Sequence, residues 1–336
     1  MTFIQLIPFH QQTSPSLLIT GARGVILVPS TARAFHKHMA ATIDKPEIQP
    51  MTRTLREWAE MVKIEHTVFA LPFALSGLIL AKASLPDFLT VVYTILAFAG
   101  ARAAAMTLNR LIDAEIDAKN PRTRDRAIPA GRIKRAHASA IAVAGFAIMV
   151  AAASQLPPLC LILAPIAILW LSFYSYTKRF TWLCHMVLGI ALGGAVLGGW
   201  IAAGGSLASV APWTLAVAVS CWVAGFDIIY ACQDVEFDRN ERLCSLPSRF
   251  GISKALLIAR ALHVVTIAML SATGVLLQLG MCFWLGVTVV ACMLVYEHSI
   301  VSEKDLSRVN AAFFTINGIV SILAFFAILL DRIFVR

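Results

Sequence analysis

Asn109, Asp113 and Asp117 recur at intervals of four in the segment NRLIDAEIDAKNPRTRDRAIPAGR. On a helix that spacing keeps the three side chains in one slowly drifting stripe. Two carboxylates on adjacent turns suit a hard divalent cation, and Mg²⁺ takes one or two carboxylates and completes its shell with water and substrate phosphate. Arg122, Arg124 and Arg126 follow at once. Guanidinium groups bind phosphate oxygens bidentately, so carboxylates followed by arginines fit a metal-bridged diphosphate. Taken alone, the cluster reads equally well as a helix end ion-paired to its own loop.

A second acidic stretch reads FDIIYACQDVEFDRNERLCSLPSRFG. Asp227, Tyr230, Asp234 and Asp238 fall at helical spacing on one face, and Asp227 stands in apolar surroundings where an unpaired charge is expensive. Glu236 and Glu241 read as solvated loop residues. A third element, YSYTKR, places Tyr174 and Lys178 one turn apart with Arg179 next. By itself that lysine would be expected only to snorkel to a membrane interface.

The elements that carry these residues are membrane helices. The chain of 336 residues is 59% hydrophobic and 14% charged, too apolar for an ordinary soluble domain. Apolar runs of spanning length recur, and lipid leaves only helices or closed barrels for them. Continuous runs rather than period-2 alternation select helices. The expected fold is all-α, a bundle of about nine spans near 66–82, 88–111, 137–155, 159–176, 182–203, 211–233, 256–278, 281–299 and 309–330.

The net charge of +9 is distributed by loop, not gathered in a patch or tail, so no nucleic acid is expected as partner. The loop after the second span holds Arg110, Lys119, Arg122, Arg124, Arg126, Arg132, Lys134 and Arg135, whereas the loops after the third, fifth and seventh spans hold no Lys or Arg. That is the positive-inside pattern. It puts the N-terminus and the loops after even-numbered spans in the cytoplasm, with Arg332 and Arg336 counting mildly the other way. The second, fourth and sixth spans then all end on one face, so the three polar clusters can converge. Helix C-terminal ends repel anions, so a diphosphate there needs metal ions and several cations. The sequence supplies both.

Residues 1–50 have no acidic residue before Asp44 and read as an N-terminal extension, a disordered arm or mis-assigned start; a transit peptide is the other reading. Residues 51–336 form the membrane domain. Seven cysteines lack paired spacing and suggest neither a disulfide framework nor zinc. The Gly-rich fifth span, GIALGGAVLGGW, reads as a close helix-packing face.

On these residues the chain resembles the UbiA superfamily of intramembrane aromatic prenyltransferases, especially its 4-hydroxybenzoate polyprenyltransferase branch, over about residues 51–336. The Asn-x-x-x-Asp-x-x-x-Asp signature matches Asn109, Asp113 and Asp117; the second acidic signature matches Asp234 and Asp238; and the Tyr-x-x-x-Lys element matches Tyr174 and Lys178. The resemblance implies a Mg²⁺-dependent enzyme whose partners are a polyprenyl diphosphate, an aromatic acid and membrane lipid. It implies that Asn109, Asp113, Asp117, Asp234 and Asp238 hold Mg²⁺, that Arg122, Arg126, Lys178 and Arg179 share the diphosphate oxygens, and that Tyr174 donates a hydrogen bond. Asp227 is the expected proton acceptor. Many relatives carry Asn-Asp where this chain has Asn109-Arg110, and several carry a basic residue at Ala114, which bears on the acceptor. Arg110 is expected either to reach the acceptor carboxylate or to be a cation facing the loop. A naphthoate-type menaquinone precursor is the second acceptor choice. The bacterial inner membrane is the expected location, with the mitochondrial inner membrane as the other reading. A transporter is the rival class, but it would hold polar residues at the bilayer midplane and not at one face.

Overall fold

The computed structural model describes residues 57–58, 64–82 and 84–334. The expectations for residues 1–50 lie outside the described residues. The elements are α1 Ile64–Leu80, α2 Phe88–Ile112, α3 Ala114–Lys119, α4 Arg135–Ala153, α5 Pro158–Thr177, α6 Cys184–Ala202, α7 Ala211–Ala231, a 3₁₀ turn Cys232–Asp234, α8 Val235–Asn240, α9 Leu246–Phe250, α10 Ile252–Leu276, α11 Met281–Ser299, a π turn Ala311–Ile316 and α12 Asn317–Phe334. Among the described residues no strand forms, only an isolated bridge between Ser302 and Asp305.

The protein is a multi-pass membrane helical bundle. Among the described residues eight helices are long and apolar enough to cross a bilayer. The first expected span corresponds to the shorter α1, of 17 residues. The sixth expected span is longer than anticipated: α7 continues through the 3₁₀ turn and α8 as one 30-residue apolar stretch. It is also the most enclosed span, with Leu215, Ala218, Val219, Trp222, Val223, Ala224, Ile228 and Ile229 buried.

Small residues set the packing. Gly100 of α2 and Gly145 of α4 face each other so closely that a Cβ on either would run into the other's carbonyl. On α6, Gly189 and Gly193 lie against the backbone of α7, and Gly199 lies against Ala74 of α1. Without a hydrophobic drive between helices in lipid, such close approaches supply the van der Waals contact that holds spans together. Gly194 and Gly198 have open space around them and take no part in this. All seven cysteines are free.

Candidate active site

The C-terminal ends of α2, α5 and α7 meet at one end of the bundle, around a cavity of about 670 Å³. That volume is ordinary for a small-molecule site. Each element reaches it for a local reason. Helix α2 stops at Asp113, whose backbone (φ −91°, ψ 3°) leaves the helical region, and α3 restarts immediately. The i→i+4 bonds survive the break: Asp113 N–H donates to Asn109 O at 3.0 Å and Asp117 N–H to Asp113 O at 2.7 Å. The four-residue register expected from the sequence therefore persists across two helices. Asn109 also donates through Nδ2 to Asp113 Oδ2 at 2.9 Å.

The two acidic signatures are joined by the arginine loop. Arg122 donates from Nε to Asp234 Oδ1 at 3.0 Å, from Nη2 to Oδ2 at 2.5 Å, and from Nη1 to the Tyr230 hydroxyl at 2.9 Å. Asn120 adds a bond to Asp234 at 3.2 Å. Arg126 Nη1 lies 2.7 Å from both oxygens of Asp117. Helix α5 contributes the rest: Lys178 pairs with Asp238 at 2.7 Å, and Arg179 with Asp113 at 3.0 Å. Arg179 also donates to the carbonyls of Ser175 and Ile112, which ties the ends of α5 and α2 together.

Electrostatics follow from this enclosure. Burial pushes the Asp113 carboxyl up from the usual carboxylate range in spite of Arg179 beside it. Burial works against the charge on Lys178, but Asp238 outweighs it and holds the ammonium above its ordinary value. Arg122 behaves alike, with Asp234 outweighing desolvation. Each cation is thus held charged beside a carboxylate.

Among the described residues no three His, Cys, Asp or Glu converge tightly enough to cage an ion alone. The chemistry of the donor set still fits Mg²⁺, which needs one or two carboxylates per ion and takes phosphate and water for the remainder. Asp113 and Asp117 on one wall and Asp234 on the other line the same cavity, and Asp238 is fully buried on Lys178 and Ser245.

Deeper in, the wall is aromatic. Phe73, Trp222, Phe226, Tyr230, Phe313 and Phe314 line the cavity in continuous contact, with the Tyr230 and Phe313 rings stacked at 4.1 Å and 30°. The π turn supplies the two phenylalanines; Asn317, held by Glu297 at 2.9 Å, donates to the Ala312 carbonyl within it at 3.0 Å. π turns often occur at functional sites.

Of the sequence-predicted residues, Asn109, Arg110, Asp113, Asp117, Arg122, Arg126, Tyr174, Lys178, Arg179, Asp227 and Asp234 line the cavity, whereas the buried Asp238 and the exposed Arg124 do not. Glu236 is exposed and Glu241 pairs with the exposed Lys119, so both are solvated as expected, although Glu236 stands on α8 and not in a loop. The sequence reading missed two residues. Arg102, two turns before Asn109, lines the cavity with its Nε enclosed and lacking a hydrogen-bond partner. An arginine inside an apolar span was the available signal. His185 lies 2.6 Å from Asp227 through Nδ1, a pairing across 42 residues that spacing could not reveal.

A profile of the UbiA prenyltransferase family matches residues 70–319. The 4-hydroxybenzoate octaprenyltransferase of Vibrio atlanticus is 30% identical over 72% of this chain and 84% of its own length. That of Sodalis glossinidius is 28% identical over 82% and 94%. A UbiA homologue from Aeropyrum pernix K1, solved in its apo form, superposes with a TM-score of 0.74 at 35% identity, over 80% of this chain and 98% of that one. A UbiA homologue from Archaeoglobus fulgidus, solved bound to DMAPP and Mg²⁺, shares the fold at 20% identity with a TM-score of 0.65, over 83% and 99%.

Proposed function

The chain belongs to the UbiA prenyltransferase family, and from that premise we propose that it moves a polyprenyl group from its diphosphate onto the ring of 4-hydroxybenzoate in quinone biosynthesis, with Mg²⁺ as cofactor. The observation that carries this reading is the division of one cavity into a charged rim and an aromatic interior. The rim suits a metal-bound diphosphate, and the interior suits an apolar chain and a ring.

Asn109, Asp113, Asp117 and Asp234 would hold Mg²⁺ at the cavity wall, with Asp238 buried against Lys178 beside them, and the ion would neutralise the diphosphate as a leaving group. Arg122, Arg126, Lys178 and Arg179 lie within the same rim and exchange carboxylate oxygens for phosphate oxygens as the donor enters. Tyr174 donates a hydrogen bond from the cavity wall. As the allylic carbon–oxygen bond breaks, the Tyr230, Phe313 and Phe226 faces stabilise positive charge on the prenyl carbon and keep water from it.

Arg102 and Arg110 hold the acceptor. Both line the cavity, and among the described residues neither is ion-paired to a carboxylate, which suits them to the carboxylate of an aromatic acid. Asp227 takes the ring proton. The basic loop on the rim side supports a cytoplasmic active site in the bacterial inner membrane. The test is an assay of purified protein with radiolabelled polyprenyl diphosphate, Mg²⁺ and a panel of aromatic acids. Prenylated 4-hydroxybenzoate as the leading product is the expected result; a naphthoate acid leading the panel would move the acceptor to the menaquinone route.

A further inference from the structure

Five aspartates of the two acidic stretches fall into two kinds. Asp113, Asp117, Asp234 and Asp238 each pair with an arginine or lysine. Asp227 instead meets an imidazole: His185 Nδ1 lies 2.6 Å from its Oδ2. The His185 side chain is 3% exposed, whereas that of Asp227 keeps 24%, and both line the cavity.

The second ring nitrogen of His185 fixes its tautomer. Leu246 N–H donates to Nε2 at 3.4 Å, near the outer limit for such a bond. A backbone amide has no acceptor to offer, so Nε2 carries the lone pair and Nδ1 carries the hydrogen. Nδ1–H therefore donates to Asp227 Oδ2. The amide that enforces this is itself anchored. Leu246 opens α9 directly after Ser245, which closes a capping box with Ser248 and donates to Asp238 at 2.8 Å. The preceding residue, Cys244, donates its N–H to the Lys178 carbonyl at 2.7 Å. Three consecutive residues thus tie the positions of Lys178, Asp238 and His185 to one turn.

We propose that His185 is a positioning residue for prenyl transfer: its Nδ1–H occupies Asp227 Oδ2, holds the carboxyl group in one rotamer, and leaves Oδ1 to receive the ring proton. The inference rests on the transferase reading above. The balance is complete within that reaction. The allylic carbon–oxygen bond breaks with its electron pair leaving on the diphosphate, and a ring carbon forms the new carbon–carbon bond. The proton on that ring carbon then passes to Asp227 Oδ1 while its bonding pair restores the aromatic ring. A carboxylate paired with a fixed cation, as the other four are, is a weaker proton acceptor than one held by a neutral imidazole.

The experiment uses the purified full chain with polyprenyl diphosphate, Mg²⁺ and 4-hydroxybenzoate either unlabelled or deuterated on the ring. In the wild type, proton loss from the cationic ring follows the slow ionisation, and deuteration leaves kcat essentially unchanged. In His185→Leu, kcat falls by up to about 100-fold as the base is misplaced, donor KM stays put, and a deuterium effect on kcat emerges. His185→Asn, whose amide nitrogen stands where Nδ1 does, recovers most of kcat and loses the isotope effect. Asp227→Asn shows the isotope effect with a loss of roughly 100-fold or more. Unchanged kcat in His185→Leu would overturn the proposal, as would a loss shared with donor KM and without any isotope effect. If His185→Leu does not fold, an isotope effect in His185→Asn or its absence in Asp227→Asn overturns it equally well. A wild type that prenylates no aromatic acid sinks the transferase reading itself, a distinct failure.

Discussion

Arg122 and Asp234 stand 112 residues apart in sequence and close a two-pronged ion pair, Nε to Oδ1 at 3.0 Å and Nη2 to Oδ2 at 2.5 Å. The pair joins the loop after the first acidic signature to the second signature, and its third guanidinium nitrogen reaches the Tyr230 hydroxyl. A cation so placed can pass from carboxylate to phosphate without leaving the rim. Arg122→Ala is expected to raise donor KM roughly thirtyfold, the equivalent of about 2 kcal/mol for a charge-assisted contact, with acceptor KM little changed. Steady-state kinetics against each substrate at saturation of the other checks this; an unchanged donor KM removes Arg122 from the diphosphate site.

Arg102 separates acceptor binding from donor binding. Its Nε is enclosed and unpartnered at the cavity wall. Arg102→Leu should raise the KM for 4-hydroxybenzoate by roughly tenfold or more while donor KM holds, because one charged contact to a carboxylate is lost. The same assay on Arg110→Ala tells whether the second arginine also binds the acceptor. A changed ranking of aromatic acids places it at the carboxylate, and an unchanged ranking removes it.

Helix packing can be tested away from the chemistry. A Cβ at Gly199 would run into the Ala74 carbonyl, and backbone cannot step aside. Gly199→Leu should therefore cost about 1–3 kcal/mol or more and lower the melting temperature in detergent, while Gly198→Leu, with open space, should not. Equal melting temperatures for the two variants would contradict the close α1–α6 contact.

Much of this architecture was legible in the sequence because lipid restricts the choices. Spacing of four located Asn109, Asp113 and Asp117, and charge alternation between loops predicted that α2, α5 and α7 would end together. The ion pairs Arg122–Asp234, Lys178–Asp238 and Arg179–Asp113 now hold those ends together. Spacing could not show that the Asn109 stripe is broken at Asp113, since local backbone bonding keeps the same register on either side. Nor could it find His185 as the partner of Asp227 or the π turn that brings Phe313 onto Tyr230, because both depend on contacts between distant spans.

Orientation follows from the same loop charges and has its own test. A single cysteine near Arg124, in a chain cleared of its native cysteines, should be shielded from an impermeant thiol reagent added outside intact cells, and one near Ser206 should react. Ser206 lies in the turn between α6 and α7, at the opposite ends of those helices from the rim. Labelling in the reverse sense would put the active site on the outer face.

The central claim is that Asp113 and Asp117 from the first acidic signature and Asp234 from the second work together through Mg²⁺ to release diphosphate. The most direct measurement is single-turnover formation of prenylated 4-hydroxybenzoate by purified wild type, Asp113→Ala and Asp234→Ala, each confirmed to be folded, with and without excess Mg²⁺. Product is predicted only from the wild type with Mg²⁺, with losses of at least about 100-fold in both variants. Near wild-type product from either folded variant, or from wild type stripped of divalent cations, would contradict the claim.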